Sequence, residues 1–446
     1  MKLRRRNGRS FPEKKVKISI RQNQQRPYRK VRASFVALAF AGLLAACSGE
    51  PTPGSVEIVE GYAGLVAADE PRAAVIGRDV LGRNGTAADA AVAMGLAMTA
   101  SYPSRVGLGG GGLCVVYDGP NLSGTSISFL PDNSGAPMLA RGLALLHARF
   151  GSLRWELLVT PAENLARQGN PASRALVQDI ADAGDRLGQD PRLYNAFYRD
   201  GLPVEVGDRV ALPEVAAALS GLRRRGVAYM TTGSYADRLL GAAQAAGANL
   251  SRDQLRNSLP QEAPVREVPF ENDVIMLPAN AVGLRFASLA SGQPASPTAS
   301  GGVPAASFVV ADRFGYAVAC SFTQNDLFGA GRLLGDTGVI LAAPPPAGGY
   351  DASMSVALVA NKNINRVRYG VAASDYDAGA AAAEVLQRIA ERGEGASAAV
   401  AGSRAGAAEG AKVTAFRCPS GTVAGSGLSC SVAADPRGRG LAEIAN

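Results

Sequence analysis

The chain has 446 residues, of which 47% are hydrophobic and 19% are charged, and its formal net charge is +8. Residues 1–46 hold 13 Lys or Arg and one acid, Glu13, which gives +12, so the other 400 residues sum to −4. The basic character therefore belongs to the first 46 residues, and net charge gives no support for a nucleic-acid partner. The remaining length is ample for one large core or two small ones.

The N-terminal segment has the organisation of an export signal. The first 34 residues are polar and basic and precede an uninterrupted apolar run, FVALAFAGLLAA, at residues 35–46. Twelve apolar residues are too few for a permanent membrane-spanning helix, but they match the core of a signal peptide. The LAAC that ends at Cys47 resembles a bacterial lipoprotein box, which implies cleavage before Cys47 and attachment of lipid to it. An ordinary signal peptide whose cleavage site precedes a cysteine is the alternative.

We therefore expect an envelope lipoprotein that faces the periplasm and meets the membrane through Cys47. Ser48 stands where sorting rules would place Asp for inner-membrane retention, and the resemblance favours the outer membrane. Residues 47–60 are predicted to be a tether, and the folded part is expected to span residues 61–446.

The first folded stretch mixes strands and helices. Leu65–Ala68 opens it, and a helix is predicted over Glu70–Leu81. Asn84-Gly85-Thr86 then caps a second helix over Ala87–Ala100, which is rich in Ala, Met and Leu and must be buried. Strands are predicted at LCVVYDG, residues 113–119, and TSISFL, residues 125–130.

Four consecutive glycines, residues 109–112, precede the first of these two strands. No Lys-Ser or Lys-Thr follows, and the next element is a strand, so no helix N-terminus faces the run and a phosphate-binding loop is excluded. The pattern indicates a backbone that passes close to other backbone or to a ligand, where a Cβ atom would clash. Gly110 and Gly111 are therefore candidate ligand contacts.

The central part is predicted to be helical and the C-terminal part mostly extended. Helices are expected near residues 137–150, 155–168, 174–187, 212–225, 233–247, 252–258 and 379–392. Strands are expected near residues 274–277, 307–311, 316–322, 337–341, 354–360 and 366–372. Residues 284–304 are expected to be loop and the Ala/Gly-rich stretch up to about residue 411 to be surface. This order indicates a layered α+β fold rather than regular βαβ alternation.

The chain is predicted to be organised around one hairpin. Residues 307–311 and 316–322 are apolar runs on either side of Arg313-Phe314-Gly315. Such a pattern is typical of two strands that are buried on both faces.

The five cysteines and the single histidine limit the possible chemistry. Cys114 and Cys320 lie in apolar runs and are interpreted as small core residues. Cys418 and Cys430 flank a Gly/Ser-rich loop in an exported chain, which predicts a disulfide. No spacing resembles a metal site, and no cofactor is expected. His147 is predicted to lie on a helix in a structural role, and no G-x-S-x-G motif is present, so a Ser-His-Asp hydrolase is not favoured.

Three separated stretches resemble the gamma-glutamyltranspeptidase family. They are residues 65–119 with NGTAADAAVA and the glycine run, residues 137–283 with PAENLARQG and GDRVALPEVAAAL, and FVVADRFGYAVACSFTQNDLFGAG followed near the end by ADPRGRG. The resemblance covers nearly all of residues 60–440. It implies the four-layer αββα sandwich of N-terminal-nucleophile hydrolases, with a large-subunit-like part over 61–304 and a small-subunit-like part over 305–446.

The resemblance also implies a specific chemistry. In that family the precursor cleaves itself just before a Thr, whose hydroxyl then attacks a gamma-glutamyl amide with its own α-amino group as the base. An Arg holds the α-carboxylate, an Asp takes the α-amine, and the backbone amides of a Gly-Gly pair stabilise the oxyanion.

This sequence departs from the pattern at several of these positions. The nucleophile position falls on Ala305, whose methyl group can attack nothing. The expected Arg falls on Leu130, and the Gly-Gly pair falls near Tyr376-Asp377. The substrate-binding Asp has no counterpart. The Ser-rich site loop survives in part, and Ser353 and Ser355 remain as candidate ligand contacts.

Three polar residues near the lost nucleophile could retain a role. Thr323 and Asn325 match the family's T-x-N, and core-facing residues paired with backbone are the alternative interpretation. Ser307 lies two residues beyond Ala305 and so faces the same side of a strand, but about 7 Å deeper. A shift of that size would miss the oxyanion donors.

The leading hypothesis is an uncleaved, catalytically inactive relative that acts by binding a gamma-glutamyl or peptide-like small molecule, or an unknown protein partner. The second hypothesis is an active gamma-glutamyl transferase or hydrolase with Ser307 as the nucleophile. The third is a structural or assembly protein of the envelope.

Overall fold

The computed structural model describes residues 61–293, 302–402, 404, 410–423 and 429–446. The predicted signal peptide, Cys47 and the 47–60 tether lie outside these residues. Within the described ranges, no helix combines the length and the apolar character that crossing a membrane requires.

The strands of the described residues fall into two large sheets and two short ribbons. They are β1 Gly64–Ala68, β2 Gly111–Asp118, β3 Ser123–Phe129, β4 Asn170–Pro171, β5 Tyr198–Arg199, β6 Leu202–Pro203, β7 Arg209–Val210, β8 Gln261–Pro264, β9 Arg266–Phe270, β10 Asp273–Leu277, β11 Ala305–Asp312, β12 Ala317–Thr323, β13 Met354–Asn361, β14 Arg366–Ser374, β15 Lys412–Arg417, β16 Ser431–Ala434 and β17 Leu441–Ala445. The order is β17-β1-β11-β12-β2-β3-β8 in the first sheet and β16-β15-β14-β13-β10-β9 in the second. The pairings within both sheets are antiparallel.

The helices of the described residues flank these sheets. They are α1 Pro71–Gly82, α2 Ala87–Ser101, α3 Leu139–Phe150, α4 Trp155–Gln168, α5 Arg174–Ala183, α6 Pro191–Phe197, α7 Pro213–Arg225, α8 Ala228–Thr231, α9 Gly233–Ala245, α10 Arg252–Asn257, α11 Ala281–Ala290, α12 Ala378–Ala390 and α13 Ala396–Ala401. A 3₁₀ turn over Gly184–Gln189 follows α5.

Three hydrophobic clusters separate four layers. The first lies between the N-terminal and central helices and one face of the seven-stranded sheet, and it includes Phe308. The second lies between the two sheets, where Val309 and Val356 belong to one core. The third packs the outer face of the six-stranded sheet, with Val371, against α11–α13, with Leu386. The layer order is therefore αββα, which confirms the predicted α+β sandwich.

Helix α2 is buried along its whole length, as its composition predicts. Thr86 and Asp89 form a capping box, in which Thr86 Oγ1 accepts from the Asp89 amide at 3.1 Å and Asp89 Oδ2 accepts from the Thr86 amide at 3.0 Å. This reciprocal cap satisfies donors that a buried helix end could not leave to water.

The predicted hairpin forms the centre of the molecule. All eight residues of β11 and all seven of β12 are buried. Asp312 fixes the turn between them, because its carboxylate accepts from the amides of Phe314 and Tyr316 at 2.8 and 3.0 Å. The same carboxylate accepts from the Ala87 amide at 2.6 Å, so the hairpin is joined to the start of α2.

Several elements differ from the sequence predictions. Residues 337–341 form only an isolated bridge, between Leu333 and Ile340. The Leu334 amide donates to the Val339 carbonyl at 2.8 Å and the Leu341 amide to the Arg332 carbonyl at 3.0 Å, so this segment pairs with its own neighbours rather than with a sheet. The loop predicted over 284–304 begins as helix α11, whose Phe286 side chain packs into the outer core. The stretch before residue 411, predicted to be surface, contains α13 with buried Ala399 and Val400. In the last two cases tertiary packing overrides a local composition typical of loops.

The cysteines form two disulfides. Cys418 pairs with Cys430, as the sequence predicts. Cys114 pairs with Cys320, so the interpretation of these two as merely small core residues was wrong. They are directly opposite on the neighbouring strands β2 and β12, a register that the sequence does not reveal. The second disulfide joins the part before residue 305 to the part after it.

The two disulfides should contribute unequally to stability. In the chain-entropy model a bridge stabilises more when it closes a longer loop, and the sequence separations are 206 and 12 residues. We expect the double variant Cys114→Ala/Cys320→Ala to lose about 3–5 kcal/mol of unfolding free energy, and Cys418→Ala/Cys430→Ala about 2–3 kcal/mol. Urea denaturation of both double variants under oxidising conditions measures the difference. Equal losses, or a larger loss for the short loop, would contradict the expectation.

Candidate active site

Ala305 is the first residue of β11, the position that the family resemblance gives to the nucleophile. Its methyl group is completely buried and faces the core between the two sheets. Its backbone is also engaged. The Ala305 amide donates to Asp375 Oδ1 at 3.2 Å, and its carbonyl oxygen accepts from Arg105 Nη1 at 2.9 Å.

Arg105 reaches this position from the turn between α2 and β2. Its Nε and Nη2 donate to the two carboxylate oxygens of Asp179 at 2.7 and 2.9 Å, a bidentate pair. Its Nη1 contacts Asp375 as well as the Ala305 carbonyl. The guanidinium carbon lies 5.5 Å from the centre of the Tyr102 ring. Arg105 is therefore held by groups from several parts of the chain at the entrance to β11.

Asp375 follows β14 and is shared by two cations. Lys412 Nζ, from the first residue of β15, lies 3.0 Å from Asp375 Oδ2. Burial alone would raise the pKa of Asp375, but the positive charges of Arg105 and Lys412 outweigh it and hold that pKa below its usual range. Asp375 is therefore a carboxylate at neutral pH.

Ser307 lies on the same face of β11 as Ala305, as the strand periodicity predicts. It is completely buried, and its hydroxyl donates to Asp69 Oδ2 at 3.1 Å. The Ser307 amide and the Ser374 hydroxyl donate to the same oxygen at 2.7 and 2.8 Å. Burial raises the pKa of Asp69, and these hydrogen bonds oppose that rise. The Ser307 hydroxyl is thus engaged inside the protein rather than presented to solvent.

Thr323 and Asn325 lie beside the start of β11. Thr323 is the direct cross-strand partner of Ala305, and its hydroxyl donates to the Pro304 carbonyl at 2.7 Å. The same hydroxyl accepts from the Asn325 amide at 2.9 Å, and Asn325 Nδ2 donates to the Ala343 carbonyl at 2.7 Å. Both side chains are therefore paired with neighbouring backbone.

The two serines of the surviving site loop differ in their surroundings. Ser353 Oγ accepts from the Val303 amide at 2.7 Å and so fixes the chain just before β11. Ser355 Oγ is buried and has no hydrogen-bond partner among the described residues.

The glycine run approaches backbone at both candidate ligand contacts. A Cβ atom on Gly110 would lie 2.5 Å from the Thr323 carbonyl oxygen, and one on Gly111 would lie 2.0 Å from that of Phe129. The Gly110 carbonyl also accepts from the amides of Met138 and Leu139 at the start of α3. Of the two interpretations of this run, close backbone packing accounts for these contacts.

Leu130 stands where the family has the Arg that holds the α-carboxylate, and Tyr376-Asp377 stand where it has the Gly-Gly pair of the oxyanion hole. Both positions have other contacts here. Leu130 lines a cavity of about 640 Å³ together with Asp132, Asp253 and Gln254, and Ala305 is not among the residues that line it. The Asp377 amide donates to the Ala352 carbonyl at 2.6 Å, and the Asp377 carboxylate pairs with Arg285 at 3.0 Å. The Asp377 N–H therefore points at protein rather than at an open site.

Sequence reasoning missed Arg105, Asp375, Lys412 and Asp69. They lie in separate segments, and no spacing relates residues 69, 105, 375 and 412 along the chain. Charged residues are rarely buried unless paired, but the sequence does not say which pairs form. Within the described ranges, no three His, Cys, Asp or Glu side chains are grouped so as to hold a metal ion.

Comparisons with known proteins agree with this architecture. The family model for gamma-glutamyltranspeptidase matches residues 73–136 and 131–290. A glutathione hydrolase proenzyme of Bacillus subtilis (strain 168) is 29% identical over 225 residues, 44% of this chain and 38% of the relative. Glutathione hydrolase 3 of Arabidopsis thaliana is 29% identical over 223 residues, 45% of this chain and 35% of the relative. The matches thus span less than two fifths of the length of these curated relatives.

A solved structure extends the likeness of fold to most of the chain. The crystal structure of cephalosporin acylase from Bacillus halodurans superposes with a TM-score of 0.72 at 15% identity, covering 89% of this chain and 98% of that one. At this identity the likeness concerns the fold alone. The family match and the curated relatives show that this chain belongs to the gamma-glutamyltranspeptidase family.

Proposed function

We propose that this protein is a catalytically inactive member of its family that acts by binding in the cell envelope. The observation that carries the proposal is the start of β11, where a buried methyl group replaces the hydroxyl that self-cleavage and amide attack both require. A family member without this hydroxyl keeps the fold but lacks the group that forms the covalent bond.

The surroundings of Ala305 support the loss of a whole site rather than of one residue. Arg105 and Asp375 occupy the carbonyl and the amide of Ala305, and the Asp377 amide is bonded to Ala352. A donor that is already bonded cannot also meet a developing oxyanion without rearrangement.

Ser307 is a poor substitute nucleophile for physical reasons. Attack requires an accessible hydroxyl and a base that can take its proton, whereas the Ser307 hydroxyl is wholly buried and its partner, Asp69, accepts three hydrogen bonds on one oxygen. An active enzyme using Ser307 remains the alternative that the experiments below test.

The proposed ligand is a gamma-glutamyl or peptide-like small molecule, which follows from relatives named glutathione hydrolase. The proposed location is the periplasmic side of the outer membrane, with a lipid anchor at Cys47. Two disulfides are compatible with an oxidising compartment. A protein partner, or a purely structural role in the envelope, would be the outcome if no such ligand binds.

Self-cleavage should be absent. We expect residues 48–446, incubated at neutral pH and reduced, to give one species at the full mass in intact-mass spectrometry. Reduction matters because the Cys114–Cys320 disulfide would hold two fragments together. Ala305→Thr should also stay uncleaved, because one new hydroxyl does not restore the family's Arg, which is Leu130 here, or its Gly-Gly pair, which falls near Tyr376-Asp377. Two fragments divided before Ser307 in the unmodified chain would overturn the proposal, and cleavage of the Thr variant before residue 305 would show that the rest of the machinery survives.

Ser307→Ala should reduce stability without changing turnover. Removing the hydroxyl leaves the buried Asp69 carboxylate with one donor fewer, which should cost about 1–3 kcal/mol of unfolding free energy. Ser355→Ala is the matched control, because it removes a buried hydroxyl without a partner among the described residues and should be neutral or slightly stabilising. Urea denaturation measures both effects. Hydrolysis of a gamma-glutamyl anilide that disappears only in Ser307→Ala would instead identify an enzyme.

Ligand binding separates the proposal from a structural role. We expect glutathione or a gamma-glutamyl dipeptide to bind saturably in isothermal titration calorimetry and to be recovered unchanged, since no nucleophile is available. Chromatography of the ligand after incubation detects turnover. An absence of saturable binding for all such compounds would favour the structural or assembly role.

A further inference from the structure

The carboxylate of Asp375 sits in a site built from three separate parts of the chain. Its Oδ1 accepts from the Ala305 amide at 3.2 Å and contacts Arg105 Nη1, and its Oδ2 lies 3.0 Å from Lys412 Nζ. Two cations and one amide thus meet both oxygens of one carboxylate, which is how proteins bind a small carboxylate ligand. We infer that Arg105, Lys412 and the Ala305 amide form a carboxylate-binding pocket, which the chain fills with its own Asp375.

The pocket is held in shape by contacts that do not involve Asp375. Asp179 binds Arg105 through two hydrogen bonds, and Arg105 lies against the Tyr102 ring, so its guanidinium stays in place when the third partner leaves. The backbone of Lys412 is fixed in strand β15, where it is the cross-strand partner of Ser374, and its side chain is only 14% exposed. Ligand sites of high affinity are pre-organised in this way.

The occupant belongs to a strained segment at the surface. Asp375 and Asp377 have φ of 73° and 61°, in the left-handed region that residues other than glycine seldom adopt. Tyr376 between them is 38% exposed, and the Asp375 side chain keeps 20% of its surface accessible. The pocket therefore has an open side, and the segment that fills it is the least regular part of its wall.

The charges favour a single carboxylate over a more highly charged anion. Arg105 and Lys412 carry two positive charges, and Asp179 already neutralises one of them. Asp179 lies against the same guanidinium, so a second negative charge on a ligand would meet repulsion from that buried acid. The ligand class is accordingly a monocarboxylate such as the carboxylate end of an amino acid or peptide. This assignment rests on the proposed binding function, and a ligand that uses the pocket in the unmodified chain must displace Asp375 from it.

The test is to vacate the pocket and refill it. Asp375→Gly removes the carboxylate and suits the positive φ, and Asp377→Gly makes the same change two residues away, where the carboxylate pairs with Arg285 instead. We expect formate to raise the melting temperature of the full chain carrying Asp375→Gly saturably, relative to chloride at equal ionic strength. A formate Kd of about 10 mM would give a rise of about 2 °C at about 200 mM. The unmodified chain and Asp377→Gly should respond to formate and chloride alike.

Two results of the formate experiment would overturn the assignment of the pocket. No formate-specific rise in Asp375→Gly, or an equal rise in Asp377→Gly, overturns the assignment. If Asp375→Gly does not fold in chloride, formate must restore the folded protein, and failure in both salts also overturns it. Asp375→Asn keeps the pocket filled and should fold without a formate response. The intact mass of the same samples tests catalytic inactivity separately. A cleaved chain whose Asp375→Gly variant still shows the formate-specific rise would contradict the proposed function but not the pocket.

Discussion

The structure around the start of β11 depends on the pairing of Arg105 with two aspartates. Its guanidinium bridges Asp179, from the helical layer, and Asp375, from the end of β14, and it also holds the Ala305 carbonyl. A buried cation is tolerated only when its charge and its donors are satisfied, so this one residue requires helix, hairpin and second sheet to meet at one place. The same group of contacts engages both the amide and the carbonyl oxygen of Ala305.

Different residues carry the packing of the fold and the position that the family resemblance gives to the nucleophile. Val309 and Phe308 point into opposite cores and hold β11 between the sheets and the helices. Ala305 lies at the end of the same strand and contributes only a methyl group to the inner core. Replacing a hydroxyl by a methyl group at such a position removes a reactive group without removing apolar contacts. A strand buried on both faces thus stays central to the fold whether or not its first residue reacts.

The disulfide between Cys114 and Cys320 connects the central hairpin covalently to the N-terminal part of the chain. It joins β2 to β12 inside the helical core and connects the part of the chain before residue 305 to the part after it. Asp312 adds a further connection, from the hairpin turn to the start of α2.

Much of the fold could be predicted from the sequence, because hydrophobic periodicity and capping are local. The helix Ala87–Ser101, its Thr86 cap and the hairpin follow from patterns within a few residues, whereas the nucleophile position at Ala305 is implied by the family resemblance. Helix α11, the missing strand at residues 337–341 and the Cys114–Cys320 bridge did not follow, because each depends on what packs against it. The sequence by itself determined the family, the layer order and the absence of a hydroxyl at residue 305. Only the tertiary structure decided that Arg105, Asp375 and Lys412 meet at that residue, because ion pairs between distant segments depend on three-dimensional proximity and leave no periodic signal along the chain.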